Sequence, residues 1–230
     1  MLIIALLAGL KSYAADLGDA DSLFAARKYT QSFDIYDSLL SSGHQSSPAM
    51  LLKMAYIKEG LGNPTQALYY LNLYYLRTAD RKVLNKMEEL AEEKNFAGYE
   101  FNDFEFVQTV FYKYYFTIVF SLLALAVLML AVVFRLRQRQ MNAAVPAFLM
   151  VLTLAVVFYI LNYGREYDRS IVTHRETFVM SGPSAAAEVL EVVSRGTRLH
   201  TYGHEDVWVK VKVNDREGYI RQTKLREISL

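Results

Sequence analysis

His200 and His204 stand four residues apart and run straight into Glu205 and Asp206. On a helix that spacing could aim two imidazoles at one zinc ion, with a glutamate directly after the first histidine as general base. Thr201 occupies that place, and the surrounding residues read as strand and turn, where positions four apart lie about 13 Å apart. His44 and His174 are isolated. Glu88-Glu89 and Glu92-Glu93 read as a solvated helix face. No glycine-rich phosphate loop follows a strand, and no Gly-x-Ser-x-Gly or Ser-x-x-Lys constellation occurs. The chain has no cysteine, which removes thiol nucleophiles, disulfides and lipid-modified cysteine. The expectation is a protein with no catalytic residues, no metal and no cofactor.

Side chains suited to recognition are easier to find. Tyr202, Trp208 and Tyr219 are the aromatics that a peptide groove would need, although a half-buried barrel tryptophan is more often packing than ligand contact. They lie in a stretch of short β-rich runs: ETFVM, EVLEVV, TRLHTY, VWVKVKV and EGYIRQ. Ser181-Gly182-Pro183, Arg195-Gly196 and Asn214-Asp215 separate the runs as turn signals. Val207, Val209, Val211 and Val213 alternate with Trp208, Lys210 and Lys212, which gives one buried and one solvated face. Five short strands in about 55 residues fit a small all-β barrel, assigned to residues 170–230.

Two uncharged apolar runs, 116–134 and 145–161, lie between this barrel and the N-terminal part. The first spans about 28 Å as a helix, close to one hydrocarbon core. The second opens at Pro146, which suits a first helical turn. No charged residue lies in either span, so no proton or ion path is expected. Both spans would face membrane lipids. The link 135–144 holds Arg135, Arg137 and Arg139 and no acid, so it is expected in the cytoplasm with both soluble parts outside. Tyr112, Tyr114, Tyr115, Tyr159 and Tyr163 would form an aromatic belt on the outer side.

The N-terminus agrees. MLIIALLAGL followed by Ser12-Tyr13-Ala14 reads as a secretory signal over 1–14, cut ahead of Ala15. No basic residue precedes Lys11, so either translation starts upstream or the signal is atypical. The predicted location is the inner membrane, crossed twice, with both modules periplasmic.

Net charge is +1 over 230 residues, with −4 on residues 16–113, +3 on the link, +1 on residues 162–230 and one further positive charge at Lys11. No part is basic enough to hold a phosphate backbone, so nucleic acid is not a partner. At this length two spans leave room for small modules only.

Residues 16–95 read as helices with an internal offset of 35 residues between Arg27–Leu40 and Leu61–Tyr74. Ser32 aligns with Ala67 and Tyr36 with Leu71, so each unit sets a small residue at a helix crossing four before a large one. Ala55 holds the equivalent place on the preceding helix, which stops at Gly62-Asn63. A capping helix is expected over 81–95. The cluster Tyr69, Tyr70, Tyr74 and Tyr75 is either core with one exposed edge or a ligand surface. Residues 96–115 form an aromatic linker in which no helical or strand period persists, lying either along the lipid interface or against the other module.

These features carry three resemblances. The helical offset, with Tyr29 at a family tyrosine position, resembles the tetratricopeptide repeat, which implies stacked helical hairpins that bind proteins. Arg27 stands where that family has glycine, and no tryptophan opens either unit. FVMSGPS, SRGTRL and VWVKVKVNDREGYIRQTKL resemble the bacterial SH3 family, which implies a module binding wall peptides or proteins. The order of signal, repeats, membrane hairpin and barrel resembles the BatE-like proteins of the Bacteroides aerotolerance operon. That resemblance implies an envelope scaffold working beside von Willebrand A-type membrane proteins and a MoxR-type ATPase. The sequence thus points to a multi-domain membrane protein: an all-α repeat, two transmembrane helices and an SH3-like barrel. Its expected function is a non-enzymatic scaffold for envelope proteins, or alternatively a peptidoglycan-binding sensor or anchor.

Overall fold

The computed structural model describes residues 16–42, 46–100, 103–164, 168–214 and 216–229. The expected signal segment, His44 and Asp215 lie outside them. The chain forms two compact units. One combines residues up to Phe101 with Asp168–Leu230, and the other is Asn102–Tyr167.

In the first unit α1 (residues 16–25), α2 (Tyr29–Ser41), α3 (Pro48–Gly60), α4 (Pro64–Thr78) and α5 (Arg81–Lys94) follow one another. Local sequence sets their ends. Ser47 and Asn63 accept from the backbone N–H of Met50 and Gln66, each directly before a proline whose missing donor suits the first turn. Asp80 caps α5 through the Lys82 N–H, and Asn95, left-handed at φ 56°, ends it. Ser32, Tyr36, Ala55, Ala67 and Leu71 are all buried, whereas Tyr29 is half-buried. The small residues let helices approach: the Ser32 hydroxyl donates to the Ala20 carbonyl at 2.8 Å. Tyr69, Tyr70 and Tyr75 are buried, and Tyr74 is partly so.

The β-domain runs β1 (Arg169–Val172), β2 (Glu176–Met180), β3 (Val189–Ser194), β4 (Arg198–Glu205), β5 (Trp208–Val213), β6 (Arg216–Arg221) and β7 (Leu225–Glu227). The antiparallel sheet has the order β3-β2-β6-β5-β4-β1-β7. Val179, Val193, Leu199, Val209, Val211 and Ile220 fill its core. The alternation of valines is realised at Val209 and Val211, while Val207 lies in the β4–β5 turn and is exposed. The expectation of five strands is corrected to seven among the described residues. β1 is buried along all four residues and so shows no alternation, and β7 is only three residues long.

Residues 96–99 join the two halves of this unit. The Arg198 N–H donates to the Ala97 carbonyl at 3.0 Å, and its Nε to the Gly98 carbonyl at 2.6 Å. The Tyr99 hydroxyl donates to the Gly196 carbonyl at 2.9 Å. Arg226 of β7 stacks over the Tyr69 ring of α4, 3.7 Å from its centroid.

The second unit is a helical hairpin of α6 (Asp103–Gln138) and α7 (Ala144–Tyr163). Both helices are long and apolar enough to cross a membrane, with mean hydropathy 2.9 and 2.5. The linker expected over 96–115 is corrected here: from Asp103 onward it is the start of α6. Glu105 and Thr109 are buried one turn apart, and the Thr109 hydroxyl donates to the Glu105 carbonyl at 2.9 Å. The irregular aromatics around them hide that period in the sequence. At 36 residues α6 is about 54 Å long, well beyond a hydrocarbon core of about 30 Å. Arg135 and Arg137 close its last turn, where cations suit the helix dipole. Within the hairpin the Tyr115 hydroxyl reaches the Ile160 carbonyl at 3.4 Å.

Candidate functional site

The β-domain carries an open groove of about 390 Å³. Glu176, Phe178 and Met180 of β2, Trp208 of β5, Arg221 of β6 and Lys224 of the following 3-10 turn line it. The strand pattern explains the wall. In β2, Thr177 and Val179 point into the core and leave Glu176 and Phe178 outward, Phe178 more than half exposed. Trp208 pairs with Arg221 across β5 and β6, and the guanidinium lies 5.9 Å from the indole ring.

Of the three aromatics singled out in the sequence, only Trp208 lines this groove. Tyr219 pairs with Lys210, two register positions along, and its hydroxyl donates to Glu205 at 3.1 Å. Desolvation, then the Glu205 carboxylate, raise its pKa. Tyr202 sits at the bulge of β4 and stacks against the His200 ring. The two histidines go to separate partners, His200 to Arg169 and His204 to Glu227. Among the described residues no group of three or more metal-capable side chains is placed to hold an ion.

Sequence reasoning missed Phe178, Arg221, Lys224 and Glu176. The outward positions of ETFVM were readable as a two-residue period. Their convergence with the β6 end depends on the β2–β6 pairing at Met180 and Tyr219, which no local pattern encodes.

A second open surface lies on the helical half. Alternate helices α1, α3 and α5 present a ladder: Lys53 pairs with Asp21 at 2.7 Å, and Lys86 with Glu59 at 3.0 Å. Between these pairs Phe24, Tyr29 and Tyr56 meet edge to face at centroid distances of 5.5–5.9 Å. A cleft of about 540 Å³ opens beside Tyr29, Tyr56 and Leu61. Burial pushes the Asp21 carboxyl up, but Lys53 and the Tyr36 hydroxyl outweigh it and hold its pKa below the usual value. The hydrogen bond to Glu59 raises Lys86. The α4 face is different, because Arg226 already lies over Tyr69 and Tyr70. Burial there pushes the Tyr70 hydroxyl well up.

A comparison with curated proteins finds no match. Residues 176–224, which include every residue named in the groove, match the family described as bacterial SH3 domain.

Proposed function

We propose that this chain is a membrane-anchored scaffold of the bacterial envelope that holds partner proteins and performs no chemistry itself. The carrying observation is that chain segments on both sides of the apolar hairpin build one folded unit with two open recognition surfaces. Both open ends of the hairpin therefore lead to the same unit, and both surfaces share one side of the membrane. Arg135, Arg137 and Arg139 at the opposite end favour the periplasm for that unit. The paired-helix stacking of α1–α5 supports the tetratricopeptide reading, in which the aromatic and charged ladder receives an extended segment. The resemblance to aerotolerance-operon proteins supplies the partner class: von Willebrand A-type membrane proteins and a MoxR-type ATPase system. Affinity purification from crosslinked native membranes is expected to recover envelope proteins in fixed ratio, and recovery of the chain alone contradicts the scaffold.

The bacterial SH3 domain favours a second reading, in which the groove contacts peptidoglycan and the helical half holds the barrel near the membrane. Its test is sedimentation of the full chain with isolated wall sacculi.

A further inference from the structure

The groove of the SH3 domain holds three charged side chains, Glu176, Arg221 and Lys224, and none has an ion-pair partner among the described residues. Nearby charges behave differently: Lys210 pairs with Glu217 at 2.7 Å on the same sheet. Phe178, Met180 and Trp208 line the same groove with apolar surface. We propose that this groove binds the free carboxylate end of a short peptide with small apolar residues, Arg221 and Lys224 receiving the carboxylate and Glu176 an ammonium or amide N–H. This rests on the wall-binding reading and names the ligand class for it.

Size and charge both support this occupant. A volume of about 390 Å³ lies at the small-molecule end of binding sites, too small for a folded partner and ample for a peptide end. Two cations against one anion favour a ligand with a net carboxylate, and a guanidinium can meet a carboxylate with two parallel hydrogen bonds. Glu176 disfavours polyanions, since a second acidic group would face its carboxylate. The indole and phenyl walls suit methyl-sized side chains, and the Arg221 guanidinium is already oriented by Trp208.

Trp208 is the only tryptophan in the chain, so its emission reports on the groove directly. The full chain in detergent is titrated with tri-alanine, its C-terminal amide and its N-acetyl form. The free acid is expected to shift the Trp208 emission saturably, and the amide to bind about tenfold or more weakly, as loss of a charge-assisted contact requires. Arg221→Gln with Lys224→Gln is expected to remove the distinction between acid and amide while the chain stays folded, with cooperative unfolding retained and at most a small loss from the Arg221–Trp208 contact. Glu176→Gln, a milder change, is expected to narrow the gap between free and acetylated peptide. Equal binding of acid and amide, or an unchanged preference in the folded double variant, overturns the proposal. If sacculi retain the chain while no peptide moves the emission, the groove assignment falls and wall binding stands. If peptide binds with acid preference but sacculi do not retain the chain, the assignment stands and the wall reading falls.

Discussion

Arg198 donates from Nε to the carbonyl of Gly98 at 2.6 Å, across 100 residues of chain that include both apolar helices. The same arginine reaches the Asn72 side-chain oxygen of α4 at 3.4 Å and is buried. A buried guanidinium is costly unless its donors are satisfied, so this residue ties the helical half, the 96–99 segment and β4 into one unit.

Gly98 has φ +86°, and a Cβ there would sit 2.0 Å from the Arg198 carbonyl oxygen. Gly98→Ala is expected to lose at least about 1–3 kcal/mol from backbone strain, with the clash in addition. Gly18 in α1 has nothing within 4 Å of its Cβ position. Gly18→Ala should be neutral or stabilise by up to about 1 kcal/mol. Denaturant unfolding followed by Trp208 emission measures both, and a harmless Gly98→Ala would mean that the 96–99 contact does not form.

Arg226→Ala removes the cation over Tyr69 and is expected to cost about 1 kcal/mol, because the guanidinium is partly buried against two tyrosines. A double-mutant cycle with Tyr69→Leu should return a coupling of similar size. Additive effects would show that the stacking contributes nothing.

Asp21 has a depressed pKa in the folded state, so its contribution to stability is present above the unfolded value near 3.8 and is lost as pH falls through the folded value. Both partners of the Asp21–Lys53 pair are partly exposed, which limits the effect to about 1 kcal/mol or less. Asp21→Asn should therefore be modestly less stable than wild type at neutral pH and converge with it below pH 3.8. A difference that grows on acidification contradicts the assignment.

The elements that could be read from sequence are those whose physics is local. Val209 and Val211 alternate because their strand has one solvated face, and Pro48 and Pro64 mark helix starts by their own backbone chemistry. Ser32, Ala67, Tyr36 and Leu71 show helix crossings through size alone. Contact of the 96–99 segment with the other module was one of two open alternatives, but its partners Gly196 and Arg198 were hidden, because they lie about 100 residues away and impose no period on it. Gly98 and Gly196 are legible only afterwards, as positions where another backbone or the Phe96 ring leaves no room for a Cβ. In the groove, Trp208 was visible by its type. Arg221 and Lys224 were not, since an exposed cation on a strand is ordinary until the sheet register sets it beside an indole.

The central claim is that one unit with both recognition surfaces stands outside the cytoplasmic membrane, held by a hairpin whose Arg135, Arg137 and Arg139 stay inside. Alkaline phosphatase, which is active only after export, tests it in one comparison: fused after Leu230, and inserted at Met141 between α6 and α7. The account predicts an active C-terminal fusion and a silent insertion at Met141. A silent C-terminal fusion, with a cytoplasmic fluorescent reporter bright at the same position, would place both surfaces inside the cell and contradict it.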